Sequence, residues 1–397
     1  MMKIKFNLSD IVSHLLLLFI ILITIGAYLE TNVQLIGMYI LISIFLILVK
    51  PRLVMKNFQK PIVIYWMGFI AVVLLSNICN NQLLGNKFIT ACISVFFIIF
   101  VFSNYWETEN VFKIIRNFIL VLCIMTIITY FSGFDFFSTL KTGTSYTTVD
   151  VATGGIASIF EFRHYYALYI SIALLTQIRF PFANKLLNGL SLLLLVANIF
   201  LTSTRTIWFA LAMLYFWSKR RRMRFVVSKN KVIFIFVLLF SVLLVFPNTD
   251  IFKQVWSRIL QIFDSSQDVG GVRIYTLTEG TSYIFQNWQQ YLLLGGGTGF
   301  SMEWLRQNPY GYWVNAIDNQ YVTIFMNFGA IGLLIFIVPI LMNLYRRLKN
   351  IDWLYSSSMF LLLFSMFFFE IIGSTSSVFV LFIIVLFAIF SEDKEVN

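Results

Sequence analysis

Leu201-Thr202-Ser203-Thr204-Arg205-Thr206 interrupts an apolar stretch that extends from Leu186 to Trp217. The topology of the whole chain depends on whether these residues join two helices or lie within one. They read as a polar hinge between membrane spans near 186–202 and 205–218, and the charge that follows decides in favour of two. A single fused helix would export Lys219-Arg220-Arg221-Arg222, whereas positively charged loops are retained on the cytoplasmic side.

The composition sets the class. With 59% hydrophobic and 12% charged residues and a mean hydropathy of +0.85, the 397-residue chain has too few polar groups to cover a water-soluble globule. Apolar runs of about 17 to 25 residues, long enough to cross the hydrocarbon layer as helix, predict further spans near 11–29, 33–49, 61–78, 88–104, 111–132, 164–180, 231–247, 319–343, 353–372 and 374–390. The expected fold class is all-α: a polytopic integral membrane protein of about twelve transmembrane helices, one domain over 1–397. A long external loop, 248–317, containing short amphipathic helices, is expected between the ninth and tenth spans.

With both termini cytoplasmic, 21 of the 29 Lys and Arg fall on the inner side and 8 on the outer. The net charge of +11 therefore reads as topology and contact with anionic inner-leaflet lipids, and no nucleic-acid signature accompanies it. The apolar run after Asp10 is long enough to stay as a span, so no cleavable signal is expected. Cys79, Cys92 and Cys123 form neither a disulfide framework nor a metal-ligand spacing, and His14 and His164 are the only histidines. Neither a metal nor a cofactor is expected.

A secondary transporter would show acidic residues mid-membrane on broken helices. Here the ionisable residues crowd the outer membrane face instead: Glu161, Arg163 and His164 before the sixth span, Arg205 before the eighth, Arg258 and Arg273 in the long loop, and Asp318 before the tenth. Glu370, the acid set within a span, lies near its outer end. Each arginine has two readings. Arg205 is either a side chain snorkelling to the interface or a guanidinium whose planar fork grips phosphate oxygens. Arg273 follows Gly270-Gly271 at the start of an imperfect amphipathic helix whose apolar positions are Ile274, Leu277, Ile284 and Phe285. It is either a solvated charge or part of an anion site at that helix N-terminus.

Gly295-Gly296-Gly297-Thr298-Gly299 reads as a flexible turn, with an anion-binding nest as the alternative. Asp318 in Asp318-Asn319-Gln320-Tyr321 reads as a helix N-cap or as a catalytic carboxylate. Tyr275, Tyr283, Trp288, Trp304, Tyr310, Tyr312 and Trp313 serve either as sugar-stacking platforms or as an interfacial belt.

The order of these elements is more specific than any one of them. Thr202-Ser203-Thr204-Arg205, then Arg258 and Arg273, then Leu294 to Phe300, then Asp318-Asn319-Gln320-Tyr321 and Asn327-Phe328-Gly329-Ala330-Ile331-Gly332-Leu333 resemble the bacterial O-antigen polymerase and O-antigen ligase superfamily over roughly residues 198–335. The resemblance implies a glycosyltransferase of the bacterial cytoplasmic (inner) membrane that acts on undecaprenyl-pyrophosphate-linked oligosaccharides at the outer face. Chain-length regulators and a flippase are its expected companions. It also implies that Arg205 and Arg273, with Arg258, bind the pyrophosphate. The general base then falls to Asp318, Glu161 or His164, in that order. The ligase pattern typically has His where this chain has Asp318, which favours the polymerase branch. The ligase, and a polysaccharide flippase without covalent chemistry, remain the alternatives.

Overall fold

The computed structural model describes residues 60–81, 107–132, 156–160, 162–220, 271–309, 317, 319–349, 353–371 and 377–390, with scattered helical positions between 11 and 21. Among them the architecture is all-helical, without a β-strand. In chain order the helices are α1 (Pro61–Cys79), α2 (Thr108–Ser132), α3 (Arg163–Arg179), α4 (Lys185–Leu201), α5 (Arg205–Arg220), α6 (Gly271–Gln286), α7 (Trp288–Tyr291), α8 (Phe300–Gln307), α9 (Gln320–Lys349), α10 (Trp353–Ser365) and α11 (Ser377–Phe390). The spans expected at 33–49, 88–104 and 231–247, and loop residues 248–270, lie outside the described residues.

Among the described residues three helices are long and apolar enough to cross a membrane: α1, α2 and the Gln320–Arg347 stretch of α9. Shorter apolar helices cover Lys185–Leu201, Arg205–Phe216, Trp353–Ser365 and Val378–Phe390. The chain forms two compact units, one of Met1–Gln34 with Glu107–Ser266 and the other of Leu35–Trp106 with Gln267–Asn397.

In the first unit α3 is the central helix. It packs against α2, α4 and α5, and every residue from Tyr165 to Ala173 is buried, as expected of a helix enclosed on all sides. The hydroxyls of Tyr166, Ser171 and Thr176 find partners inside the protein, since an unpaired polar atom in such a core is costly. The Tyr166 hydroxyl donates to the Asn198 Oδ1 of α4 at 3.1 Å and lies 3.2 Å from the Thr126 Oγ1 of α2. Thr126 in turn donates to Ser158 at 2.9 Å. This network ties the end of α2, the approach to α3 and the last turn of α4 into one layer. The Ile156 amide, bonded to the Leu201 carbonyl at 3.1 Å, adds to it. The chain then turns through Thr202 to Thr204, with Ser203 at φ 52°, and enters α5 as a separate helix.

The second unit is built on the antiparallel pair α1 and α9. Gly68 and Gly332 sit where the helices approach: a Cβ added at Gly68 would lie 4.0 Å from Ile335 Cγ2, and one at Gly332 would lie 3.7 Å from Val72 Cγ1. Small residues permit this backbone approach. Phe69 wedges between Phe328 and Phe336, and Tyr65 donates to the Phe336 carbonyl at 3.0 Å.

α9 is not continuous. Gly329 has φ 67° and ψ −168°, a conformation open essentially only to glycine. The break frees main-chain groups that must find partners inside the protein. The segment after α7 supplies them reciprocally. Gly296 and Gly297 donate to the Met326 and Asn327 carbonyls, both at 2.9 Å, while the Leu292 and Leu293 carbonyls accept from Ala330 and Ile331 at 2.7 and 3.2 Å.

α10 ends at Ser365, seven residues before the predicted end of its span at 372. Gln320 explains the early stop. Fully buried, it donates its amide to the Met366 carbonyl at 2.8 Å and accepts the Ile371 amide on Oε1 at 2.7 Å, which holds a non-helical turn there. Glu370 therefore lies in this non-helical turn, beyond the end of α10.

Candidate functional site

Two clusters contain the described residues singled out by the sequence, one in each unit. In the first unit the hinge holds its own polar groups. Thr202, Ser203 and Thr204 are buried. Thr202 donates to the Ile199 carbonyl at 2.7 Å, and Thr204 donates to the Thr202 carbonyl at 3.3 Å. Trp208 locks the far side of the hinge with an indole hydrogen bond to the Ile199 carbonyl at 3.1 Å.

Arg205 follows as the first residue of α5, half-buried, and it has no hydrogen-bond or ion-pair partner among the described residues. A cation at a helix N-terminus stands against the positive end of the helix dipole, where an anion would be favoured. Guanidinium and free amides thus attract the same ligand. The hydroxyls of Thr202 and Thr204 beside it are committed to the hinge backbone.

His164 lies at the same end of this unit, in the first turn of α3. Its ring stacks on Phe162 at 5.2 Å with an interplanar angle of 9° and meets Tyr165 edge-on at 4.6 Å. Two aromatic rings therefore fix the imidazole plane. Glu161 and Arg258 lie outside the described residues.

In the second unit Arg273 occupies the first turn of α6, as its position after Gly270-Gly271 leads one to expect. The buried face of this helix differs from the expected one. Thr276 and Ile284 are fully buried, whereas Leu277 and Phe285 are exposed. Spacing explains the difference: Thr276, Gly280 and Ile284 succeed one another at four-residue intervals on one face, and Gly280 lets that face reach Met326, Trp304 and Val322. Position 273 is in helical register with this face. Trp304, read either as a sugar-stacking platform or as part of an interfacial belt, is instead buried in the cluster that joins α6, α8 and α9, with Tyr275 stacked on it at 6.0 Å. Tyr283 pairs with Tyr291 at 6.0 Å; burial and Tyr283 push the Tyr291 hydroxyl above its ordinary range, so it stays protonated. Trp288 is exposed, and Tyr310, Tyr312 and Trp313 lie outside the described residues.

Two further readings are corrected. The glycine run is neither a loose turn nor an anion nest, because the amides from Gly295 to Thr298 already have acceptors. Gly295 donates to the Tyr291 carbonyl at 2.8 Å, Gly296 and Gly297 to the α9 break, and Thr298 to Asn77 Oδ1 at 3.0 Å. The cap of α9 is Asn319, whose Oδ1 accepts from the Tyr321 and Val322 amides at 3.0 and 3.2 Å. Capping is thus performed by the residue after Asp318, which itself lies outside the described residues.

The sequence reading missed the residues of α1 that meet the glycine turn. Ser76 donates to the Asn327 carbonyl at 2.9 Å, Asn77 Nδ2 to Thr298 Oγ1 at 2.9 Å, and Asn80 to the Gly295 carbonyl at 3.0 Å. Their signal was present: Ser76, Asn77 and Asn80 are a polar cluster closing an otherwise apolar helix. Asn327 completes the joint by accepting the Ser301 amide at 2.8 Å at the start of α8. Among the described residues no three His, Cys, Asp or Glu side chains converge as a metal site would require.

No curated protein matches the chain. The O-antigen ligase family model matches residues 190–337, from α4 through the hinge bearing Arg205 to beyond the α9 break, so this part of the chain is similar to that family.

Proposed function

We propose that the protein polymerises lipid-linked oligosaccharide repeat units into a surface polysaccharide, O-antigen or capsule, at the outer face of the cytoplasmic membrane. Arg205 is the observation that carries this reading: a half-buried cation at the start of α5, unpartnered among the described residues, within the matched segment. An undecaprenyl pyrophosphate donor supplies the anion that such a group requires.

In the reaction, a hydroxyl oxygen of the incoming unit bonds to the anomeric carbon of the growing chain. The anomeric C–O bond breaks, and its electron pair leaves on the pyrophosphate. The hydroxyl proton passes to a side-chain base, for which Asp318, Glu161 and His164 are the candidates. Arg205 and Arg273, with Arg258, are assigned to the pyrophosphate. Charge grows there as the bond breaks, so guanidinium groups stabilise the transition state more than the ground state. The oriented imidazole of His164, at the same end of the first unit as Arg205, supports a place for it in the chemistry.

The second reading is the ligase, which moves a finished chain to a lipid A core, and the description of the matched family favours it. The glycolipids of a deletion strain separate the two. A single repeat unit on the surface acceptor establishes the polymerase, and unattached polymer on the carrier establishes the ligase. Unflipped units accumulating inside would overturn both in favour of a flippase.

A further inference from the structure

We propose that Asn77 is a positioning residue for glycosyl transfer, acting through Thr298 to hold the α6 to α8 segment, and with it Arg273, against the broken helix α9; this rests on the polymerase or ligase reading above. Asn77 is fully buried. Its carboxamide grips one residue twice, donating from Nδ2 to Thr298 Oγ1 at 2.9 Å and accepting the Thr298 amide on Oδ1 at 3.0 Å. The remaining Nδ2 proton is directed to the Val73 carbonyl at 2.6 Å. Every polar capacity of the side chain that faces the turn is in use.

Thr298 is the residue on which two α6-side connections meet. Upstream, Leu292 to Gly297 exchange main-chain hydrogen bonds with both sides of the Gly329 break. Downstream, Ser301 at the start of α8 is bonded to Asn327, and α8 carries the Trp304 on which α6 packs. Gly295 lies directly against the broken helix, since a Cβ there would come within 2.4 Å of the Asn327 backbone. The turn therefore has one seat, and Asn77 fixes its register on α1.

Polar contacts between membrane helices add little net stability, yet α1 spends Ser76, Asn77 and Asn80 on this seat. What such contacts specify is geometry, and a displacement of about 1 Å at a group that orients substrate costs on the order of a hundredfold in rate.

Tyr65 provides the control, since its hydroxyl also joins α1 to α9, at Phe336, seven residues beyond the break and away from the glycine turn. Purified full-length Asn77→Ala and Tyr65→Phe would be compared with wild type in proteoliposomes on lipid-linked repeat units extracted from a deletion strain. Amide exchange over 292–302 would be recorded in parallel. Asn77→Ala is expected to lower kcat roughly tenfold to a hundredfold, with donor KM within about twofold of wild type, and to raise exchange in the turn. Tyr65→Phe is expected to do neither. Thr298→Ser, which keeps the hydroxyl and amide, is expected to retain wild-type kcat. Equal loss of kcat in Asn77→Ala and Tyr65→Phe, or unchanged kcat in Asn77→Ala, would overturn the positioning role. Should wild-type protein transfer no sugar, the functional reading fails on its own, and unchanged turn exchange in Asn77→Ala would then overturn the clamp.

Discussion

Gly329 faces the Leu293 carbonyl so closely that a Cβ at 329 would lie 2.3 Å from that oxygen. The contact is main chain against main chain, so no side-chain rotation relieves it. Gly329→Ala therefore meets both the left-handed φ of 67° and an immovable neighbour, and is expected to destabilise the protein by about 3 kcal/mol or more. Gly189→Ala is the reference: Gly189 lies inside α4 with nothing within 4 Å of the added Cβ, so Ala is expected to be neutral or stabilising by up to about 1 kcal/mol. Thermal unfolding in detergent checks both, and equal melting temperatures would show that the break tolerates a side chain.

Loss of a charge-assisted contact to a developing anion costs about 3 kcal/mol, roughly a hundredfold in rate. Arg205→Ala and Arg273→Ala are each expected to abolish long polysaccharide chains at normal protein levels. Lysine at either position is expected to rescue only partly, because a point charge does not reproduce the bidentate fork. Chain lengths on gels of surface polysaccharide are the measurement. Wild-type lengths in both alanine variants would leave the arginines as interfacial anchors.

Asn319 and Asp318 separate stability from chemistry. Since Asn319 caps α9, Asn319→Ala is expected to cost about 1 kcal/mol of stability. Asp318→Asn is expected to leave the melting temperature unchanged while strongly reducing transfer, because an amide cannot take the acceptor proton. The assay is conversion of purified lipid-linked repeat units at matched protein amounts; wild-type rates in Asp318→Asn would remove Asp318 from the chemistry and pass the role to Glu161 or His164.

Topology is checked by single cysteines in a background without Cys79, Cys92 and Cys123. Cysteine in place of Gln267 is expected to react with an impermeant thiol reagent in intact spheroplasts, and cysteine in place of Ser228 is not. The opposite labelling would invert the chain in the membrane.

The sequence by itself determined the helical class and the approximate bounds of α1 to α5, because apolar length and charge placement are local properties that the bilayer reads one segment at a time. It also separated α4 from α5 at the Thr202 to Thr204 hinge and placed Arg205 and Arg273 at helix starts. Tertiary structure alone decided what the glycines at 295–299 do, which face of α6 is buried, and that Asn319 rather than Asp318 is the cap of α9. A glycine run codes for conformational freedom, and nothing local reveals that Gly295 spends that freedom against Asn327, 32 residues away in the chain. Nor does an apolar α1 announce that Asn77 will meet Thr298, a partner 221 residues distant. The physical reason is the break in α9: once Gly329 frees main-chain groups inside a protein core, they must be satisfied, and the segments that satisfy them are set by packing in three dimensions.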